Sequence, residues 1–462
     1  MNHIAALLRF ATLSASRALY RLAYWMGVVT ASLLCATLLL FFVARAAIRP
    51  APGAWATTVQ VGPVPVEVGV ASLIWLGTTP WVAQRLAGHT LPSPAGPLRL
   101  GWVAQDQILT LRCQPCSLRN PSWGTAALRL PAVDVSVRRS GMQLQGTAAS
   151  GAVAATWRGQ LTHTSLLLDM DLPPTSVRDG YALFAEAIPE LKNAQIDGTF
   201  AMRATLSLPS RALTVQPQLV GMAVRGLGTD QWANAQSACS RGLPARAQKV
   251  ALGANSLLAR AVVSAEDQRF FEHTGYDIVE IAHALRNNNQ RTALQITGDA
   301  PQNGLRGAST LSQQVAKLLV TGGERSPVRK LLYAVEMEQT LGKARILRLY
   351  LDNAPWGATV CGAQAAAQTY FAKRADQLSV NEAAWLAAML HNPALEARRW
   401  AATGRINEAR AQWVVNGMRL TEASRSAGCN EPNAARPCVA RGSGSTRRIP
   451  VPLPQQPSLG IE

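Results

Sequence analysis

An uncharged apolar run near the amino terminus constrains the fold of this chain more than any other feature. It extends from Leu22 to Ala44, 23 positions without a charged side chain, which is long enough for a helix to cross a bilayer with some tilt. Cleaved signal peptides normally have a shorter apolar region of about 7–15 residues. Ala44-Arg-Ala46 weakly resembles a cleavage site, so removal of the run remains an alternative to the transmembrane helix that we expect over 22–44.

Basic residues on either side of the run predict its orientation. Arg9, Arg17 and Arg21 precede it, whereas Arg45 and Arg49 follow it. The excess on the amino-terminal side favours a cytoplasmic leader over residues 1–21. We therefore expect a single-pass protein of the inner (plasma) membrane whose bulk lies in the periplasm.

The formal net charge of +18 and the pI near 10.4 limit the classes of partner. Nucleic-acid binding usually requires a clustered basic face with aromatic residues for stacking. The arginines of this chain are dispersed, and no such motif occurs, so we expect no nucleic-acid partner. Two explanations of the charge are equally good. One is attraction to membrane lipids and to a diphosphate substrate, and the other is simply a composition rich in Ala and Arg.

The cysteines predict disulfides in an oxidising compartment. Of the seven cysteines, Cys35 lies in the apolar run and six lie beyond it. Cys113-Gln-Pro-Cys116 could be a redox pair or half of a metal site, but a second pair is missing, which favours a local disulfide. The pairing of all six is one guess among 15 connectivities. The expected disulfides are Cys113–Cys116, Cys429–Cys438 and Cys239–Cys361.

Residues 50–225 show an alternation of apolar and polar residues that is typical of β-strands. Val133-Asp-Val-Ser-Val137 and the segment Phe200–Leu208 are examples, and glycines interrupt the pattern at short intervals. A short helical patch is expected over Val177–Leu191. The region contains no group of residues suited to catalysis, so we interpret this antiparallel β-rich domain as a spacer or a protein-binding module.

From about residue 245 the apolar period changes to that of helices. The chain is thus expected to be a multidomain α+β protein, with a mainly α-helical domain over 245–402, a terminal helix over 403–423 and a disordered Pro/Gly/Ser/Arg-rich tail over 424–462. The predicted helices are Leu257–Ala265, Ser309–Val320, Val328–Leu351, Gly362–Phe371, Val380–Leu390 and Arg405–Leu420.

Two motifs in the helical region suggest chemistry. Ala265–Gly275 places an acidic pair beside aromatic residues, a histidine and a glycine turn. In the second motif Ser309, Gln313 and Lys317 recur every four residues, so we expect Ser309 to cap a helix and all three to share one face. A carboxylate opposite a hydroxyl, an amide and an ammonium group suits a sugar-phosphate substrate.

The same motifs resemble those of the glycosyltransferase family 51 peptidoglycan polymerases, which include the transglycosylase module of penicillin-binding proteins and its monofunctional relatives. The patterns E-D-x-x-F-x-x-H-x-G and G-x-S-T-(I/L)-x-Q-Q-x-x-K occur at 266–275 and 307–317. The resemblance covers about residues 245–400 and implies a lysozyme-like helical fold. No S-x-x-K with a K-T-G follows, so we expect a monofunctional enzyme without a transpeptidase domain.

The resemblance also implies the reaction and the residues that perform it. A lipid-linked disaccharide would be polymerised into glycan strands with release of a lipid pyrophosphate, and Glu266 would be the general base. Asp267 would order the loop through His273 or a backbone amide. A Mg²⁺ or Mn²⁺ ion would be held mainly by the pyrophosphate, and no metal site of the protein itself is expected. The expected substrate-binding residues are Ser309, Thr310, Gln313, Gln314, Lys317, Arg329 and Lys330.

One departure from the family pattern puts this activity in question. The family has R-K-x-x-E and a second acidic residue eight positions later, whereas this chain has Tyr333 in the first place and Glu338 only five positions further on. About three residues are therefore missing, and Glu336 is the nearest candidate to replace the lost glutamate. The alternatives are a catalytically impaired homologue that binds precursors or cell-wall proteins, and a lysozyme-like hydrolase.

Overall fold

The structure is a computed structural model. It describes residues 23–43, 50, 53–61, 64–118, 128–210, 212–234, 239, 252–296, 307–320 and 326–426. The expected leader, the expected Cys429–Cys438 disulfide and all of the tail from residue 427 onward lie outside these described residues.

The amino-terminal apolar run forms one helix, α1 (Ala23–Val43). This helix has 21 residues and a mean hydropathy of 2.4, and none of its residues is buried against the rest of the protein. Its length and composition are sufficient to cross a membrane.

Residues 53–234 form a β-rich domain, called here the sheet domain. A hairpin of β1 and β2 leads into two short helices, α2 (Val70–Gly77) and α3 (Pro80–Leu86). A nine-stranded sheet follows, antiparallel at every pairing, in the order β13-β12-β11-β10-β9-β8-β5-β4-β3, and β6 pairs with β7 separately. The strands are β1 (Ala56–Val61), β2 (Val64–Gly69), β3 (Thr90–Ser93), β4 (Gly96–Val103), β5 (Ile108–Cys113), β6 (Cys116–Leu118), β7 (Leu128–Leu130), β8 (Val133–Ser140), β9 (Gln143–Ser150), β10 (Val153–Leu161), β11 (Leu166–Ser176), β12 (Gln195–Leu208) and β13 (Ala212–Arg225).

The period-two pattern explains why these segments are strands. In the β10–β11 hairpin Leu161 faces Leu166, and both are buried with Leu144 and Ala71 under α2. Arg158, in the same strand, points to solvent. One face of the sheet is thus apolar and covered, while the other is polar, as expected for an antiparallel sheet.

The predicted helical patch in the sheet domain is partly confirmed. α4 (Val177–Ala182) begins within it, and a turn of 3₁₀-helix covers Pro189–Lys192. A second 3₁₀ turn, Thr229–Ala233, ends the described part of the domain.

Residues 252–426 form the helical domain. Two of its helices, α6 and α12, were not predicted, and the single helix expected over Val328–Leu351 is in fact two. The break falls at Gly342, whose φ of +72° is a left-handed conformation that favours glycine. The helices are α5 (Leu257–Glu266), α6 (Ile278–Ile296), α7 (Leu311–Leu319), α8 (Pro327–Thr340), α9 (Gly342–Asn353), α10 (Ala363–Phe371), α11 (Val380–Met389), α12 (Pro393–Thr403) and α13 (Glu408–Ser426).

Helix α5 lies at the centre of the helical core. The Ser256 hydroxyl caps it by accepting from Ala259 N, and its apolar residues contact α11 and α13. A Cβ on Gly417 of α13 would lie 2.3 Å from Ser264 Oγ. Glycine therefore permits α13 to approach the carboxyl end of α5 closely.

The two domains meet at an interface that we call the joint. Its apolar part includes Ile188 and Val224 of the sheet domain and Leu332 and Val335 of α8. Each of these side chains is at most 1% exposed. Burial of this kind stabilises by about 1.5–3 kcal/mol per large aliphatic side chain, so α8 belongs to the cores of both domains.

Hydrogen bonds add specificity to the joint. The Tyr181 hydroxyl donates to Val328 O at 3.0 Å, and the hydroxyls of Thr229 and Thr340 lie 2.7 Å apart. Tyr181 is itself buried, so its hydroxyl needs this partner.

Two of the three expected disulfides are confirmed. Cys113 pairs with Cys116, and Cys239 pairs with Cys361. The second links the segment between the two domains to the loop before α10.

Gly275 offers a test of how the first motif packs on α8. Its φ is +98°, and an added Cβ would lie 2.9 Å from the carbonyl carbon and oxygen of Ala334. We expect Gly275→Ala to lower the free energy of unfolding by about 1–3 kcal/mol. Gly253→Ala is the matched control, because no atom lies within 4 Å of its added Cβ, and its effect should stay within about 0.5 kcal/mol. Denaturant titration of the detergent-solubilised chain measures both, and equal effects would contradict this packing.

Candidate active site

Glu266 lies at the carboxyl end of α5, where the chain leaves the helix. Asp267 ends the helix with non-helical dihedral angles, φ −162° and ψ 76°. The Glu266 side chain is 12% exposed. The carboxyl group is thus mostly buried but still reaches solvent. A group that accepts a proton from a substrate needs this limited access.

Two side chains from distant helices contact the Glu266 carboxyl group. Gln314 of α7 donates from Nε2 to Oε2 at 3.1 Å. Arg410 of α13 donates from Nη2 to Oε1 at 3.4 Å, and also to Ala265 O at 3.2 Å. The close packing of α13 on α5 brings the guanidinium group of Arg410 to the end of α5.

A buried tyrosine fixes the orientation of the Gln314 amide. The Tyr350 hydroxyl of α9 donates to Gln314 Oε1 at 3.0 Å. Burial holds the pKa of Tyr350 well above its usual value, so the hydroxyl keeps its proton. With Oε1 taken, the amide presents its NH₂ group to Glu266.

The surroundings of Glu266 change its affinity for a proton. Burial raises the pKa of Glu266 above its usual value, because a charged carboxylate is disfavoured away from water. The Gln314 hydrogen bond and the Arg410 charge oppose the rise. A carboxylate with a raised pKa is a stronger proton acceptor, which suits a general base.

Asp267 connects the two sequence motifs. Its carboxylate accepts from His273 Nε2 at 3.0 Å and from Leu311 N, the first residue of α7, at 2.8 Å. His273 Nδ1 accepts from Gly275 N at 3.2 Å, which assigns the remaining ring proton to Nε2. The prediction that Asp267 orders the loop through His273 or a backbone amide is confirmed, because Asp267 makes both contacts.

The start of α7 differs from the prediction. The helix is capped by Thr310, whose hydroxyl accepts from Gln313 N at 3.3 Å and donates to Gly275 O at 2.8 Å. Ser309 was expected to be the cap but precedes it, because the buried Thr310 side chain reaches Gly275 and takes the capping position. The predicted stripe of Ser309, Gln313 and Lys317 is therefore wrong at its first member, which lies outside the helix.

The remaining predicted residues of α7 have different surroundings. Gln313 is buried, and its Nε2 lies 3.4 Å from Gly275 O. Lys317 is half-buried in the last turn of the helix. Of the predicted substrate-binding residues, Gln314 is the one that directly contacts Glu266.

Arg329 lies at the joint, where it contacts the sheet domain. Its guanidinium forms an ion pair with Glu190, with Nε 3.0 Å from Oε1 and Nη2 donating to the same oxygen. The Tyr333 hydroxyl, one turn further along α8, also donates to this oxygen at 3.2 Å. Lys330, next to Arg329, is buried. Glu190 was not predicted because it precedes Arg329 by 139 residues.

The Glu190 carboxyl group is charged but incompletely satisfied. Burial alone would raise its pKa, but the hydrogen bonds and charge of Arg329 hold the pKa of Glu190 below its usual value. Its Oε2 atom is buried and accepts no hydrogen bond from the described residues. The contact thus combines a strong ion pair with an unsatisfied acceptor, which is costly in a buried site.

The two other glutamates of α8 point in different directions. Glu336 Oε1 accepts from Leu227 N of the sheet domain at 2.9 Å, so it serves the joint. Glu338 accepts from Lys343 Nζ at 2.7 Å and from the Ser312 hydroxyl, on the side of α8 that faces α7. Glu336 is therefore directed away from the group of residues around Glu266.

The acidic side chains near α7 are engaged in contacts with other side chains or amides. Among the residues that the structure describes, no three His, Cys, Asp or Glu side chains could hold an ion together. Asp267 and Glu338, the acids near α7, already have cationic or hydrogen-bonding partners.

Comparison with known proteins identifies the helical domain. The model of the Transglycosylase family matches residues 246–419. The biosynthetic peptidoglycan transglycosylases of Citrobacter koseri and Salmonella paratyphi B are each 44% identical over 162 residues, and that of Salmonella schwarzengrund is 43% identical. The matched segment is 34% of this chain and 62% of each relative, so the chain spans less than two thirds of their length. Residues 246–419 are thus similar to the transglycosylase family, in agreement with the resemblance to glycosyltransferase family 51 that the two motifs indicate.

Proposed function

We propose that this protein is a membrane-anchored peptidoglycan glycosyltransferase that polymerises a lipid-linked disaccharide and releases a lipid pyrophosphate. The observation that carries the proposal is the mostly buried Glu266 carboxyl group, held by Gln314 and Arg410 within the matched domain. We place this domain on the outer side of the membrane, because three arginines lie within about 20 residues before α1 and two within about the same distance after it.

In the proposed reaction Glu266 takes the proton from the 4-hydroxyl of the incoming disaccharide. That oxygen forms a bond to the anomeric carbon of the growing glycan, and the bond from this carbon to the lipid pyrophosphate breaks with its electron pair on the leaving oxygen. Negative charge grows on the pyrophosphate, so cations beside it lower the barrier. Lys317 and Lys330 are proposed for this role, with Ser309, Thr310 and Gln313 as polar neighbours of the substrate.

In this proposal a divalent ion would be held by the pyrophosphate of the substrate and not by a site of the protein. The described residues provide no protein cage for Mg²⁺ or Mn²⁺, and an ion bound to pyrophosphate oxygens would need few protein ligands. We derive no step through it.

The role of Glu266 is tested by Glu266→Gln. The substitution keeps the shape of the side chain and removes the proton acceptor, so we expect polymerisation to fall by about 10²–10⁴-fold. Polymer formation from lipid-linked disaccharide by the purified chain measures this, and thermal unfolding checks the fold. Glu272→Gln is the control, because Glu272 is exposed and pairs with Arg269. Parental activity in the Glu266 variant would exclude Glu266 as the base, and cleavage of finished glycan by the parent would indicate a hydrolase.

The influence of Arg410 is tested by the pH dependence of the rate. A base works in its deprotonated form, so activity is present above its pKa and is lost as the pH falls through it. Arg410 opposes the rise in the pKa of Glu266. Removal of the charge by Arg410→Gln should therefore raise this pKa further and move the acid limb of the kcat/KM profile to higher pH. Arg405→Gln is the control, because Arg405 pairs with Glu408 on the surface. An unmoved acid limb would show that Arg410 does not act on Glu266.

The contact between Glu190 and Arg329 favours a second candidate function. Arg329, which is expected to meet the pyrophosphate, is engaged by Glu190 of the sheet domain, and so is the Tyr333 hydroxyl. The sequence pattern predicts that Tyr333 stands in the place of the family's glutamate. Under this alternative the protein binds the lipid-linked precursor but is catalytically impaired while Glu190 holds Arg329.

Glu190→Gln tests this alternative. Loss of the carboxylate charge should release Arg329 toward the pyrophosphate. We expect polymerisation to rise by about tenfold, since a hydrogen bond from a charged donor contributes about 1.5–3 kcal/mol. Glu186→Gln, in the same segment and exposed, is the control. A lower rate in the Glu190 variant would show instead that Glu190 supports the active arrangement of Arg329.

A further inference from the structure

An exposed apolar surface lies on the first two helices of the sheet domain. It consists of Leu73, Trp75 and Leu76 of α2 and Trp81 of α3, which we call the tryptophan patch. Their exposed fractions are 38%, 54%, 41% and 64%. Two tryptophans this exposed on neighbouring short helices are unusual for a surface that faces only water.

The chain places the patch close to the end of the apolar helix α1. Helix α1 ends at Val43, and Pro50 follows after seven residues. The Cα of Pro50 lies 3.9 Å from the position of a Cβ on Gly69, the residue before α2. Seven residues span at most about 25 Å, so the start of α2 lies within about that distance of the carboxyl end of α1.

Two arginines accompany the tryptophans. The guanidinium of Arg85 lies 4.7 Å from the centre of the Trp81 ring, and that of Arg139 lies 5.3 Å from the centre of the Trp75 ring. Arg139 is fixed by a hydrogen bond from its Nε to the Thr78 hydroxyl at 2.7 Å. The sequence contains no Asp or Glu between positions 68 and 103, so the charge of this region is positive.

We propose that the tryptophan patch is inserted into the lipid headgroup region of the membrane that α1 crosses. Tryptophan is the side chain that most favours this region, because its ring is apolar and its N–H group can reach water. Leu73 and Leu76 add apolar area on the same helix. Arg85 and Arg139 meet the phosphates of anionic lipids, whose surface attracts basic residues. The sheet domain is thereby attached to the bilayer at a second point beside α1.

Photo-crosslinking to lipid tests the proposal on the full chain. The purified protein is reconstituted in vesicles of phosphatidylethanolamine and phosphatidylglycerol, with p-benzoyl-phenylalanine in place of Trp75 or Trp81. Val220 is the matched control position, because it is apolar, 65% exposed and located on β13, at the opposite edge of the sheet from β3. Lipid adducts are counted by mass spectrometry. We expect positions 75 and 81 to give at least about fivefold more adduct than position 220.

The lipid composition tests the contribution of the arginines. Exchange of phosphatidylglycerol for phosphatidylcholine should lower the yield at position 75 by about fivefold for each arginine that meets a headgroup. Yields at 75 and 81 no higher than at 220 would overturn the proposal. Equal yields in the two kinds of vesicle would overturn the part assigned to Arg85 and Arg139. Adducts to protein in native membranes, without lipid adducts in vesicles, would assign the patch to a protein partner.

Discussion

The buried carboxylate of Asp267 is the interaction on which the candidate site depends. A charged group that is 5% exposed must have partners, and its partners are His273 from one motif and the amide of Leu311 from the other. The carboxylate thus joins the end of α5 to the beginning of α7. Because Glu266 precedes Asp267 and Gln314 lies one turn into α7, the same connection brings the Glu266 carboxyl group, the proposed base, to its amide partner Gln314.

Helix α8 packs on different parts of the protein with two of its faces. Leu332 and Val335 pack against the sheet domain, while Glu338 faces α7. A helix between two packed surfaces tolerates few changes in register, since three residues rotate a helix by about 300°. The departure from the family spacing that the sequence predicts after Lys330 would fall in this helix. The sheet domain supplies Glu190 and the Leu227 amide to the face that carries Arg329, Tyr333 and Glu336. This face of α8 is therefore part of the interface between the two domains.

The sequence predicted the parts of the site that depend on neighbouring residues. The Asp267–His273 pair and the local disulfide of Cys113 and Cys116 both connect residues that are close along the chain. Arg410 and Glu190 were missed, because they act on residues 144 and 139 positions away and belong to segments without a motif. Helix α6 was missed for a different reason: its polar run Asn287-Asn-Asn-Gln290 hides the apolar period, and packing against β13 supplies the stabilisation that the sequence does not indicate. Ser309 was misassigned because two adjacent hydroxyl residues are both good caps, and only the packing of Thr310 on Gly275 distinguishes them.

The joint and the tryptophan patch together define where the candidate site can lie relative to a bilayer. In the proposed arrangement the patch holds one end of the sheet domain at the headgroups. The joint connects the sheet domain to α8 through side chains that are at most 1% exposed. A lipid-linked substrate presents its pyrophosphate at the headgroup level, since its lipid tail remains in the hydrocarbon region. A catalytic domain held only by a flexible connection would search for that level by diffusion. A domain held at two points through a packed joint would already be oriented toward that level, which reduces the entropy lost when the substrate binds. In this arrangement the sheet domain would act as a spacer whose length is set by its strands. Glu190 would connect the placement of the sheet domain to the candidate site through Arg329.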